Sequence, residues 1–184
     1  MLNNIMTEGE CSKLRSLIHH ANNIVLCCHV SPDGDAIGSV LGMAEVLKCM
    51  GKEPVMVVPD QFPDYLQWLP NTEKIVRYDK RSDYVDMVLK IADLVICLDF
   101  NALSRTDDME AALEACTAPR VLIDHHLNPS IACQVCVSHP NMSSASELVF
   151  RVAWQLGLFE QLGRHFATAV YCGMMTDTGG FTFN

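Results

Sequence analysis

Apolar residues recur along this chain in two alternating rhythms. Short continuous runs at Ile24–Cys28, Pro54–Val58, Ile75–Tyr78, Leu94–Leu98 and Val121–Ile123 have the length and β-branched content of buried strands. Between them lie stretches with helical spacing. Leu14, Leu17, Ile18 and Ala21 mark a first helix, Asp35 to Met50 a second closed by Gly51, and Ser82–Ile91 and Asp107–Cys116 two more. Further on, Ile131–His139 alternates like a strand that would send Cys133 and Cys136 to opposite faces, and Ser144-Ala-Ser-Glu147 reads as a capping box opening an apolar helix. Strands joined by crossover helices predict an α/β fold, a mainly parallel sheet of about five strands with helices on both faces. In such sheets ligands collect at the carboxyl ends of the strands, so the polar residues that follow each apolar run carry the interest.

No repeat, low-complexity tract or linker interrupts the pattern, so residues 1–184 read as one domain. The formal charge of −9 argues against a protein that grips long duplex nucleic acid by neutralising phosphates. The amino terminus lacks the basic start and apolar run of a signal peptide, and no segment reaches the length of a membrane span, which predicts a cytoplasmic protein without membrane contact. Nine cysteines, two of them adjacent at Cys27 and Cys28, do not form a secreted disulfide framework.

Three of the apolar runs deliver metal-type side chains on leaving the core: VLCC leads to His29, VICL to Asp99, and VLI to Asp124, His125 and His126. The first run continues through Pro32, Asp33, Gly34 and Asp35, where the proline and glycine bend the backbone so that two carboxylates can face one site. Asp177 stands before Thr178-Gly-Gly, in what reads as a glycine-rich loop after a helix. Imidazoles and carboxylates without a plausible thiolate suit a borderline-hard ion such as Mn²⁺, with Mg²⁺ or Co²⁺ as substitutes. Six candidate ligands, His29, Asp33, Asp35, Asp99, His125 and Asp177, exceed the need of one tetrahedral site. Two divalent ions about 4 Å apart repel by roughly 16 kcal/mol at an effective dielectric near 20, and the four aspartates supply the compensating charge.

In order, the His29-x-x-Pro-Asp-Gly-Asp-Ala-Ile-Gly-Ser stretch, the strand-end Asp99, the Asp124-His125-His126 triplet and the Asp177-Thr-Gly segment resemble the four motifs of the DHH phosphoesterase superfamily. The resemblance is greatest to the bacterial group in which a DHH domain precedes a DHHA1 domain. It implies that His29, Asp33 and Asp99 hold one manganese, that Asp35, Asp99, His125 and Asp177 hold the other, and that Asp99 bridges them. His126 would contact the substrate phosphate, and Asp124 would orient a neighbouring imidazole. The implied reaction is hydrolysis of phosphate esters in short oligonucleotides or in 3′-phosphoadenosine 5′-phosphate, by water activated between two cations. Rival readings are an inorganic pyrophosphatase, a single-strand DNA exonuclease and a non-catalytic nucleotide-binding module.

Other polar residues have plainer readings. Glu147 fits a helix cap, and His19, His20, His139 and His165 fit solvated or packing roles. Arg105, soon after Asp99, could reach a substrate phosphate. The chain shows no trace of the glycine-rich substrate-binding segment of a DHHA1 domain and reads as a fragment, compatible with a homodimer.

Overall fold

The computed structural model describes residues 3–182. The apolar runs become strands because both of their faces are covered. In chain order they are β1 (Ile24–Cys27), β2 (Val55–Val58), β3 (Val76–Arg77), β4 (Leu94–Leu98), β5 (Arg120–Asp124) and β6 (Val135–Ser138). The helices are α1 (Glu8–His20), α2 (Gly34–Cys49), α3 (Tyr78–Ile91), α4 (Glu110–Ala115), α5 (Ala145–Gln155) and α6 (Arg164–Asp177), with short 3₁₀ turns between them. The strands form one sheet in the order β3-β2-β1-β4-β5-β6, every neighbouring pair parallel. The sheet has six strands where the apolar runs predict about five, because the alternating segment after β5 pairs as the edge strand β6.

Alternate residues of each strand feed two cores. Ile24, Leu26, Ile96, Leu98 and Ile123 meet the helices α1, α2, α5 and α6, while Val25, Cys27, Val95, Cys97 and Leu122 meet Val85, Leu89 and Leu113 of α3 and α4. Continuous apolar runs are what a parallel sheet covered on both sides requires.

Several local expectations shift. The helix predicted over Asp107–Cys116 begins only at Glu110, because Asp107 takes φ 49°, ψ −123° and breaks the preceding 3₁₀ turn, Leu103–Met109. The helix predicted from Ser82 begins at Tyr78 and kinks at Arg81. Cys133 lies in the loop before β6, so the CxxC is not strung along one strand, and its two thiols neighbour each other instead of facing apart. All nine cysteines are free thiols. Asp177 is the last residue of α6, not part of a loop. Among the described residues no helix is long and apolar enough to cross a membrane.

From β1 the chain passes outward through β2 to β3, and from β4 it passes the other way to β6. The carboxyl ends of β1 and β4 therefore border the point where the winding reverses, and the crevice outside such a point is where open α/β sheets bind ligands.

Candidate metal centre

His29 leaves β1 into this crevice. Its Nδ1 lies 2.7 Å from the carbonyl of Val30, which fixes that nitrogen as the protonated one and turns Nε2 toward Asp99, 3.4 Å from Oδ2. Asp33 caps α2: its Oδ1 accepts from the N–H groups of Asp35 (2.9 Å) and Ala36 (3.0 Å), leaving Oδ2 unengaged by the cap. Asp35 is fully buried and accepts from the N–H groups of Ala145 (2.6 Å) and Ser146 (2.8 Å) at the start of α5.

Asp99 directly follows β4 with φ 64°, a left-handed conformation that aspartate tolerates better than most side chains and that turns the chain sharply out of the strand. It too is buried. His125, just beyond β5, presents Nε2 at 3.4 Å from Asp99 Oδ1, 3.8 Å from Asp35 Oδ2 and 3.7 Å from Asp177 Oδ2, while its Nδ1 faces the carbonyl of Met142 at 3.4 Å. His126 Nδ1 sits 2.8 Å from Asp124 Oδ1.

Ligand-type atoms gather within 4.8 Å of one another in three groups: His29, Asp33 and Asp99; Asp35, His125 and Asp177; Asp99, His125 and His126. All six ligands predicted from the sequence thus fall in one connected cluster, with Asp99 and His125 each shared by two groups. Asp124 lies beneath it, fully buried. Arg105 is exposed, and it supports the site through its backbone: its carbonyl accepts from the Val30 N–H at 2.7 Å. Glu147 is a cap, although its carboxylate accepts from Ser143 N–H (2.9 Å) and Oγ (2.6 Å), one residue earlier than a regular capping box. The groups that sequence reasoning misses are all backbone: the carbonyls of Val30 and Met142 and the N–H groups of Ala145 and Ser146. No side-chain pattern announces them.

The electrostatics are those of a crowded anion cluster held together by protons. Burial, reinforced by the nearby Asp99 charge, pushes the Asp35 carboxyl up to about 7. Burial opposes charge on His125, but the facing carboxylates of Asp99, Asp35 and Asp177 outweigh it and push the imidazole up to about 9. Burial would also raise Asp99, yet the imidazoles of His125 and His29 hold it below the ordinary carboxylate range. Asp124 raises His126 through their hydrogen bond.

This arrangement fits divalent cations. Asp99 Oδ1 is buried and no donor meets it in good hydrogen-bond geometry, His125 Nε2 standing 3.4 Å away, a costly condition that a cation relieves. The donor set is imidazole and carboxylate, while the nearby Cys28 thiol is engaged with the His29 carbonyl at 3.7 Å and burial raises it well above its usual range. Oxygen and nitrogen ligands without thiolate favour harder ions over structural zinc.

Fold and cluster together define a parallel α/β domain with a group of imidazoles and carboxylates suited to divalent cations at its topological switch point. The profile of the DHH family, N-terminal domain, matches residues 23–174, and the chain belongs to that family. It is 33% identical over 163 residues to the bifunctional oligoribonuclease and PAP phosphatase NrnA of Thermus thermophilus, covering 87% of this chain and 44% of that protein. The enzyme of the same name from Bacillus subtilis is 27% identical over 170 residues, covering 88% of this chain and 48% of its own length. The chain therefore spans about half the length of these relatives. Among solved structures, an exopolyphosphatase-related protein from Bacteroides fragilis superposes with a TM-score of 0.96 at 42% identity, covering 99% of this chain and 54% of that one. The exonuclease RecJ bound to manganese shares the fold, with a TM-score of 0.54 at 14% identity over 96% of this chain and 45% of that one.

Proposed function

We propose that this chain is the catalytic unit of a manganese-dependent phosphoesterase that hydrolyses short oligoribonucleotides and 3′-phosphoadenosine 5′-phosphate. The observation that carries the reading is the convergence of six ligand side chains on the switch point around a buried Asp99 oxygen that no donor meets in good hydrogen-bond geometry. His29, Asp33 and Asp99 would hold one divalent cation, and Asp35, Asp99, His125 and Asp177 a second. When bound, such a pair supplies Lewis-acid charge at phosphorus and makes water acidic enough to act as a nucleophile at neutral pH.

The protein's own groups do the rest. Val30 and Met142 carbonyls set the His29 and His125 tautomers so that each turns Nε2 inward. Asp124 engages His126 Nδ1 and raises the imidazole's affinity for a second proton; in that protonated form the Nε2–H would donate to a phosphoryl oxygen, and His126 is accessible enough to meet one. The acidic chain suits a short substrate, whose few phosphates are met by the cations, better than a long strand that must be gripped by lysine and arginine. The names of the relatives support the choice of oligoribonucleotide and nucleoside bisphosphate. Nine free thiols support a reducing, cytoplasmic location.

Cation binding must displace protons from the cluster. His125 holds its proton to about pH 9 and Asp35 to about pH 7 without cation, and only the deprotonated forms are ligands. Apparent manganese affinity is thus expected to rise with pH and level off near 9, and calorimetry in two buffers of different ionisation heat should register proton release at pH 7. An affinity that is flat from pH 6 to 9 would contradict this ligand set.

AMP release from 5′-phosphorylated diadenylate and from 3′-phosphoadenosine 5′-phosphate, with manganese or chelator, tests the function. Release is expected with manganese only and is lost in His125→Ala, while pyrophosphate and long single strands react far more slowly. Manganese-loaded protein that leaves both nucleotides intact would contradict the assignment.

A further inference from the structure

Asp35 differs from the other carboxylates of the centre in what holds it. It is the second residue of α2, and both of its oxygens are taken by the first turn of another helix: Oδ2 by the Ala145 N–H at 2.6 Å and Oδ1 by the Ser146 N–H at 2.8 Å. These are two of the donors that every helix leaves unpaired at its start, and they carry its positive dipole end. Two helix amino termini, of α2 and α5, therefore converge on one fully buried carboxylate. The Ser146 hydroxyl adds a third link, to the Asp35 carbonyl at 3.3 Å.

The turn that provides these donors is itself held. Ser144 Oγ accepts from the Glu147 N–H at 3.0 Å, the Glu147 carboxylate accepts from Ser143, and Arg151 Nε donates to Glu147 Oε1 at 2.8 Å. On the opposite side α6 approaches closely because Gly173 has no side chain: a methyl there would overlap Ser146 Oγ and come within 2.9 Å of Asp35 Oδ1. Gly173 stands one helical turn before Asp177, on the same face of α6. One packing arrangement thus brings Asp35 and Asp177 to the same nitrogen of His125, at 3.8 Å and 3.7 Å from Nε2.

We propose that the first turn of α5, through the N–H groups of Ala145 and Ser146, is a positioning element that fixes the orientation of the Asp35 carboxylate for the cation it shares with His125 and Asp177. This rests on the proposed function in that it takes the cluster to be a cation centre. Two charge-assisted donors leave the carboxylate one rotamer, so the ligand need not be ordered when the cation arrives. Partners of this kind, one step removed from the ion, typically change metal affinity about 10–100-fold when removed.

Ala145→Pro is the direct test. Ala145 is the first residue of α5, where proline is accommodated, and Ser144 before it is extended at φ −171°, ψ 162°, compatible with a following proline. The substitution removes the N–H that reaches Asp35 Oδ2 and sets the ring Cδ in its place, so the carboxylate loses its donor and is pushed from its present position while the helix keeps its first turn. By calorimetry the wild-type protein is expected to bind two manganese ions, and Ala145→Pro to bind one of them at least about tenfold more weakly. Ala145→Gly, which keeps the N–H, restores binding. Folded Ala145→Pro protein that binds both ions as tightly as wild type overturns the proposal.

A second measurement does not depend on the variant folding. In the wild-type protein, cross-hydrogen-bond NMR couplings are expected between the Asp35 carboxylate carbon and the amide nitrogens of Ala145 and Ser146, and their absence overturns the proposal. Should the wild-type protein bind no manganese, the cation-centre reading fails, and with it the positioning role.

Discussion

Asp99→Asn is expected to lower AMP release by on the order of a thousandfold, the scale seen when a preorganised charge-stabilising group is lost, while leaving the fold in place. Asparagine matches aspartate in shape and is one of the few residues that accepts a left-handed backbone, so the φ of 64° just after β4 does not penalise it. What disappears is the negative charge common to two ligand groups, one with His29 and Asp33 and one with His125 and His126. An amide that must turn either its oxygen or its NH₂ toward each group cannot serve both. Manganese stoichiometry is therefore expected to fall together with activity, and circular dichroism to stay unchanged. Full activity in Asp99→Asn would remove Asp99 from the centre.

Gly38→Ala is expected to be a strongly damaging conservative change outside the ligands. A methyl on Gly38 would lie 2.6 Å from the Ala169 carbonyl oxygen, 2.9 Å from Ser146 Oγ and 3.0 Å from Gly173 Cα, so α2, α5 and α6 all meet at this point. Backbone cannot swing aside as a side chain can, and α6 must shift as a unit. Overpacking of this kind costs about 1–3 kcal/mol, and the better helix propensity of alanine returns up to about 1 kcal/mol. A net loss near 1–2 kcal/mol corresponds to a fall in Tm of roughly 2–8 °C for a chain of this size. Because Asp177 ends the same helix, manganese affinity should fall as well, which separates this variant from a purely structural lesion. A thermal melt and a manganese titration check both effects, and a variant as stable as wild type with unchanged affinity would contradict the close α2–α6 contact.

The parts of the site carried by strand ends are legible in the sequence, because a continuous apolar run that stops at a histidine or aspartate leaves little freedom in where that side chain emerges. His29, Asp99 and His125 are of this kind. Asp177 is harder: its glycine neighbours suggest a loop, but α6 persists to Asp177 and Gly179 and Gly180 follow with positive φ. Asp107 looks like a helix start and is a break, since a single backbone outlier is not encoded in residue type. The edge strand β6 is short and half exposed, so its alternation is a weaker signal than the buried runs. The amide donors to Asp35 come from a segment about 110 residues away and from atoms that every residue possesses. Only the folded chain brings them to the carboxylate.

The most direct test of the central claim is anomalous diffraction at the manganese edge from crystals of this chain grown with Mn²⁺, for the wild-type protein and for Asp99→Asn. The wild-type map is expected to show two manganese peaks about 3.5–4 Å apart, the spacing of two-metal phosphoryl-transfer centres, with Asp99 between them. The variant should lose at least one. A single wild-type peak, or two peaks away from Asp99 and His125, would contradict the two-cation centre.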